Sequence, residues 1–363
     1  MTNPFLACIS QGQLSLLGDG GGQIVESPFG CSLRERAAQI YKRHAWKTEG
    51  RSAQNLARAF NVPADRDPGY FRISITSVSR GPSPDELLYT LETDEISGVF
   101  ARDGEGVEKR LFHTADFRVR HLDAHRERRE IAVSILHRDG SGNLAVLKAD
   151  GSNLTEVTDG DSVDEAPRWV PGEGRRLVFQ SSGMGRDRMG RLLRYAPYAI
   201  QLLDLDTGEL SCLARSTDCD YLGPRIAGDG ALYYIRRPNL SAPKPVSPWN
   251  AFERTLLLPF RILWAIFRLI DMSVERRTGS PIIRKQEAGE GPAGTPSTSV
   301  LMRQTETGPD AAETLAKGVR SFDFAGDGSI LYSDGWDVYR MPPGGGAGRK
   351  VLSVENIEFL AAL

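Results

Sequence analysis

Ile226-Ala-Gly-Asp-Gly-Ala-Leu-Tyr-Tyr234 and Phe324-Ala-Gly-Asp-Gly-Ser-Ile-Leu-Tyr332 carry one pattern: an apolar residue, a tight Gly-Asp-Gly turn, then a run of strand-forming side chains. Looser copies are Trp169-Val-Pro-Gly-Glu-Gly-Arg-Arg-Leu-Val-Phe179, Ser83-Pro-Asp-Glu-Leu-Leu-Tyr89 and the stretch from Leu122 to Ile131. A repeated unit too small to bury its own apolar face must stack on its neighbours, so the repeat dictates the architecture.

After each such turn come a second strand, a hairpin and a fourth strand. The hairpin turns Ala101-Arg-Asp-Gly104, Ala149-Asp-Gly-Ser152 and Asp204-Leu-Asp-Thr-Gly208 use Asp and Gly for the backbone angles a tight turn requires. Laid along the chain, the template gives four-strand units at about 72–113, 117–158, 166–214, 220–316 and 319–353. Three strands remain at the start (Pro4–Ile9, Gln13–Leu17, Gln23–Ser27) and one at the end (Glu355–Leu363). Together they make a sixth unit, in which the C-terminal strand pairs with the N-terminal ones and removes the exposed sheet edges of an open array. The expectation is an all-β, six-bladed β-propeller, a single domain over 1–363, with helical insertions at 31–66 and 238–297.

Asp164-Glu-Ala-Pro167-Arg-Trp169 followed by Pro171-Gly-Glu-Gly174, and Asp220-Tyr-Leu-Gly-Pro224 followed by Gly228-Asp-Gly230, resemble the blade signature of the TolB-like β-propeller family. Ser83-Pro-Asp85 keeps a fragment of it, whereas Leu122-Asp-Ala-His-Arg-Glu-Arg128 has lost it. The resemblance covers most of residues 70–355 and implies a six-bladed ring; it implies no enzyme.

Net charge is −2, with 45 basic and 47 acidic residues, and no strand face combines aromatic with basic residues, so nucleic acid is not an expected partner. The N-terminus has neither the basic nor the apolar region of a secretory signal. Four cysteines (Cys8, Cys31, Cys212, Cys219) have neither metal-ligand spacing nor the density of a disulfide scaffold, and the expected setting is the reducing cytoplasm.

Three segments break the strand rhythm. Cys31–Phe60 reads as helical, with Ser32 as N-cap, Glu35 completing a capping box, and Leu33, Ala37, Ile40 and Tyr41 as its apolar stripe. Ser182–Tyr195 carries Arg186, Arg188, Arg191 and Arg194 against one acid, Asp187. The third, 238–297, runs from a Pro-rich linker through an apolar stretch to a Gly/Pro/Ser tail. In an up-and-down blade the connections from strand two to three, and from strand four to the next blade, leave on one face. All three segments fall at such connections, and elaborated loops on a rigid scaffold usually carry function.

Within Glu253–Glu275 nearly every residue is large and apolar, while Arg254, Arg261 and Arg268 recur every seven and share one helical face. Leu256, Leu257, Phe260, Leu263, Trp264, Phe267 and Ile270 are the large apolar residues outside that narrow polar face. Leu256–Ile270 makes about 22 Å of helix, short of the roughly 30 Å hydrocarbon core. The expected role is therefore interfacial: apolar side chains inserted into an anionic membrane surface, Trp264 near the headgroups, and Arg261 and Arg268 snorkelling, helped by the Arg186–Arg194 loop. The same helix also suits docking into a partner protein, or packing on the Leu33–Tyr41 helix.

Motifs for chemistry are sparse. His121-Leu-Asp-Ala-His125 has the spacing of a metal pair but lies at a charged turn. Asp159, Asp161 and Asp164 are acid-rich enough for calcium, yet lack the regular ligand order and distal bidentate Glu of a dedicated loop. No nucleophile elbow, Walker loop or dinucleotide fingerprint occurs. Gly344-Gly-Gly-Ala-Gly348 reads as a turn, and Trp169, Tyr234, Tyr332 and Trp336 as packing between sheets. The sequence thus points to a non-catalytic interaction scaffold, peripheral at the inner membrane surface. A soluble adaptor with a docking helix is the alternative, followed by a metal-dependent enzyme that would gather acidic or histidine side chains at the mouth of the propeller channel.

Overall fold

The computed structural model describes residues 5–18, 21–48, 72–83, 85–172, 174–239, 298–305 and 312–363, with the side chains of the one described helix given to residue 39. The described residues belong to one compact unit; a second, Leu240–Thr295, lies outside them.

The chain opens with β1 (Leu6–Ser10), β2 (Gln13–Gly18) and β3 (Gly21–Val25), and α1 (Pro28–Thr48) follows. A four-stranded sheet then forms in chain order from β4 (Ile73–Arg80), β5 (Leu87–Thr93), β6 (Ser97–Arg102) and β7 (Glu108–Thr114). Next come β8 (Arg118–His125), β9 (Glu130–Leu136), β10 (Gly142–Lys148) and the short β11 (Thr155–Glu156). They are followed by β12 (Ser162–Trp169), β13 (Arg176–Arg186), β15 (Ala199–Asp204) and β16 (Leu210–Ala214), with β14 (Leu192–Tyr195) folded back on the end of β13. One parallel pair, Gly142 with Val163, joins these last two groups into a nine-stranded sheet. Two more four-stranded sheets comprise β17 (Cys219–Ile226), β18 (Leu232–Pro238), β19 (Val300–Gln304) and β20 (Ala312–Lys317), then β21 (Ser321–Phe324), β22 (Ile330–Ser333), β23 (Asp337–Met341) and β24 (Arg349–Ser353). The last strand, β25 (Ile357–Ala362), returns to pair antiparallel with β1, giving the order β25-β1-β2-β3.

The two Gly-Asp-Gly repeats fold alike. Gly230 and Gly328 take φ of +83° and +79°, values a side chain would strain. Asp229 accepts the Ala231 amide and Asp327 the Ser329 amide, each at 3.0 Å. The Asp-Pro signature also gains a physical meaning. Each of β12 and β17 bulges between its conserved-pattern acid and the residue after the proline, at Glu165/Arg168 and Leu222/Arg225. Pro167 and Pro224 sit in those bulges, where no ladder bond needs their missing N–H. The residue before each proline has positive φ, +52° at Ala166 and +58° at Gly223.

Apolar side chains fill the spaces between successive sheets. Ile9 and Leu14 meet Tyr89 and Phe100; Leu88 and Val99 meet Leu122 and Ile135; Ala132 and Leu144 meet Phe179 and Leu203. Val178 and Ile200 meet Tyr221 and Tyr234, Tyr233 and Leu301 meet Phe322 and Ile330, and Leu331 and Val338 meet Leu6 and Leu360. Full burial of such a side chain contributes about 1.5–3 kcal/mol, so most of the fold's favourable energy lies between sheets rather than within them.

Several boundaries differ from expectation. The helix starts at Pro28, not Cys31: Ser27 caps it, its Oγ accepting the Gly30 amide at 3.1 Å, while Ser32 lies one turn in and donates to the Phe29 carbonyl. Ser-Pro at the N-cap and first helical position explains the earlier start. Its first turn is seated against the side of the β4–β7 sheet, where the Phe29 amide meets Glu108 and its ring meets Phe100. The unit expected at 166–214 begins at Ser162, so Asp164 belongs to β12 and not to a connecting loop. Trp169, Tyr234 and Tyr332 are buried between sheets, whereas Trp336 is half exposed.

Candidate functional site

The first strands of the sheets bring their charged side chains together. Arg168 of β12 pairs with Asp123 of β8 at 3.0 Å, and Arg225 of β17 pairs with Asp323 of β21 at 3.0 Å. The Ala362 amide of β25 donates to Asp323, and Arg80 of β4 donates to the Ala362 carbonyl, each at 3.1 Å. Arg168 stacks over Phe359 and Arg225 over Phe322. Burial pushes the Arg225 guanidinium down and the neighbouring Arg168 adds to it, while Asp323 and Asp123 favour its charge. These partnered, enclosed pairs fix the strands in register and leave few groups free to bind a ligand.

At one end of this polar centre lies a cavity of about 420 Å³. Arg72, Arg118 and Arg120 line it with His121, opposite Glu92 and the Ser74 and Thr76 hydroxyls. Arg118 is held in place: it donates to the carbonyls of Thr93 and, at 2.6 Å, Asp94, with Glu92 3.6 Å away. Arg120 is looser, 3.9 Å from Glu92. Three guanidiniums against the two carboxylates of Glu92 and Asp94 leave the lining one positive charge in excess, and a partly enclosed site strengthens its attraction for an anion relative to open water.

His121 sits at the β8 bulge, with Nδ1 3.0 Å from the Ser134 hydroxyl. Burial lowers its basicity, with Glu165 opposing and Arg168 and Arg120 reinforcing the effect, so the neutral ring is favoured. Ser134 is buried, and its hydroxyl orients the imidazole rather than presenting a nucleophile. Nearby, Glu165 accepts from Tyr198 at 3.0 Å and Gln180 at 3.3 Å. Among these described residues, the Ser134 hydroxyl is the one that meets the His121 ring, and it is buried.

The cavity opens at the end where the second and third strands of the sheets are joined. Arg138 in the β9–β10 turn reaches the Ala115 carbonyl, and Arg186 reaches Asp139 in that turn at 3.3 Å and Asp161 at 2.6 Å. Arg186 therefore anchors a projecting hairpin of β13 and β14, whose tip is shaped by Asp187 accepting the amides of Met189 and Arg191. Arg188 and Arg194 are exposed without an ion-pair partner among the described residues, and Arg191 pairs with Asp187. The excursion after β18 leaves and returns at this end too, where Asn239 bonds to Asp220 and Ser299 to the Val319 carbonyl.

Other expected site residues fare differently. Leu256, Leu257, Phe260, Arg261, Leu263, Trp264, Phe267, Arg268 and Ile270 lie outside the described residues. Asp161 is taken by Arg186, and Asp164 is buried against the Ser181 hydroxyl; with Asp159 they form no calcium cage, and no group of three potential metal ligands converges among the described residues. His121 and His125 both lie within β8, not on a solvated turn, and His125 packs edge-on against Trp169. No described helix is long and apolar enough to cross a membrane.

The cavity escaped the sequence reading because Arg72, Glu92 and Arg118 belong to different strands or their approaches. The one local signal, alternate arginines at 118 and 120 on a first strand, is visible only once that strand is known to face the centre. The apolar residues of the hairpin, Met189, Leu192, Leu193 and Tyr195, were in plain view but overshadowed by the arginines between them.

No family model matches this sequence, and no curated protein matches it. Among solved structures it is similar to TolB from Acinetobacter baumannii, at 12% identity and a TM-score of 0.54, over 99% of this chain and 66% of that one. It therefore spans just under two thirds of that TolB. A puromycin-hydrolysing peptidase from Mycobacterium tuberculosis is similar over 78% of this chain and 39% of that one, at 12% identity and a TM-score of 0.48. At such identity a likeness speaks for fold alone. The chain has the fold of a TolB-like β-propeller.

Proposed function

We propose that this chain is a non-catalytic interaction scaffold: six four-stranded blades closed into a ring where β25 meets β1, with the loop-bearing end as its binding face. The pairing of β25 with β1 and the apolar contacts between each pair of successive sheets support the closed ring. The observation that carries the functional reading is the convergence at one end of the electropositive cavity, the arginine-bearing hairpin and both ends of the 240–297 excursion. A protein partner enters this reading through an acidic segment that places carboxylates against Arg72 and Arg120.

Residues 249–275 attach the same end to an anionic membrane surface in this reading. Their support is the sequence: an apolar face too short to span a bilayer, and arginines on one side.

The test of the cavity is fluorescence titration with a short polyglutamate peptide. Arg120→Glu is expected to weaken binding at least tenfold without changing the thermal melt, because Arg120 makes only a long contact with Glu92. Equal affinity for both proteins contradicts the assignment.

A further inference from the structure

The β13–β14 hairpin carries more than its arginines. Met189, at the tip, is 78% exposed and Leu193 68% exposed, with Leu192 and Tyr195 also open to solvent. All four residues of β14 are exposed. Successive side chains of a strand point to opposite faces, so both faces of β14 and of the tip stand uncovered, while Met184 at the base of the hairpin is buried. Exposed apolar residues in such a cluster mark an interaction site.

Its shape and charge select the occupant. A protein partner would cover one face of the ribbon, whereas here apolar side chains occupy the tip and both sides, as suits a medium that surrounds the hairpin. Arg188 and Arg194 sit between those apolar residues without an acid to neutralise them. This mixture fits the interface of an anionic bilayer, where apolar side chains enter the acyl boundary and guanidiniums meet lipid phosphates. The base is rigid: Arg186 ties the hairpin to Asp161 and Asp139, and the Asp187 turn holds the tip. Little ordering entropy is then lost on insertion.

We infer that the Arg186–Tyr195 hairpin is a finger that inserts its Met189–Leu193 tip into the interface of an anionic lipid bilayer. This deepens the reading that the loop end meets a membrane, and it adds a contact separate from residues 249–275.

The experiment measures partitioning of the full chain onto vesicles of phosphatidylcholine with or without phosphatidylglycerol. Four proteins are compared: the intact chain, Met189→Ser with Leu193→Ser, Arg188→Glu with Arg194→Glu, and Trp264→Ser with Phe267→Ser. Both hairpin pairs are expected to lower partitioning onto anionic vesicles at least tenfold with unchanged thermal melts. Salt should weaken the intact protein and leave the Arg188→Glu, Arg194→Glu variant nearly unaffected. If the hairpin variants bind like the intact chain while the Trp264 and Phe267 variant does not, the finger is overturned and the 249–275 attachment stands. If only the hairpin variants lose binding, the finger stands and that attachment fails. Absence of vesicle binding by the intact chain overturns both.

Discussion

The Asp123 carboxylate of β8 receives the Arg168 guanidinium of β12 at 3.0 Å and, through its second oxygen, the Trp169 amide at 2.9 Å. One short side chain thus fastens the β8–β11 and β12–β16 strand groups at their first strands. Removing one member of a buried pair leaves its partner charged and unsatisfied, at a cost of about 3–5 kcal/mol. Asp123→Ala is expected to lower unfolding free energy by about 3 kcal/mol in urea titration, near the bottom of that range because both side chains keep slight exposure. A loss below about 1 kcal/mol would mean the pair contributes no more than a surface ion pair.

The positive φ before each bulge proline predicts opposite effects of two small substitutions. Gly223→Ala forces a Cβ into the left-handed region and should cost about 1 kcal/mol. Ala166→Gly releases strain already present, offset in part by the entropy of a freer unfolded chain, and should be neutral to mildly stabilising. Urea midpoints for the two variants decide this; equal destabilisation by both would contradict the bulge account.

Gly151 has φ of +90°, and a Cβ there would overlap the carbonyl oxygen of Leu111 in the adjoining sheet. Gly151→Ala should therefore loosen the contact between the β4–β7 and β8–β11 strands and cost about 2 kcal/mol or more, combining backbone strain with a steric clash. Calorimetry provides the check, and an unchanged melting temperature would mean the turn can shift away.

His121 provides a pH signature. Its folded-state affinity for protons is depressed by burial, so on acidification the unfolded chain takes up a proton that the folded chain refuses. Stability from this residue is present above its ordinary value, near pH 6.5, and is lost as pH falls from there through the lower folded-state value. Replacing it by glutamine should flatten the fall in stability between about pH 7 and pH 5. A slope unchanged from the parent would assign the fall to other groups.

Much of the fold was legible in the sequence because the Gly-Asp-Gly turns and strand lengths are local properties. The described strands β17–β20 and β21–β24 fall, to within a residue, in the units expected at 220–316 and 319–353. The degenerate Leu122–Arg128 copy was placed by spacing alone, yet it spans the end of β8 and the turn into β9. The misreadings were also local. Ser32 satisfied the capping-box pattern, but Ser27-Pro28 made the better helix start. Asp164 read as loop because it lies in an acid-rich run between two units, whereas it belongs to β12 and accepts from the Ser181 hydroxyl. The cavity was not legible, since Arg72, Glu92 and Arg118 meet only after three stretches of chain have folded.

The most direct measurement is co-sedimentation with anionic and neutral vesicles, comparing the intact chain with one lacking residues 249–274, each checked for folding by circular dichroism. The account predicts that the intact chain pellets with anionic vesicles in a salt-sensitive manner and that the deletion, still folded, pellets markedly less. If the intact chain stays in solution with both kinds of vesicle, the loop-bearing end is not a membrane-facing surface and the central claim is wrong.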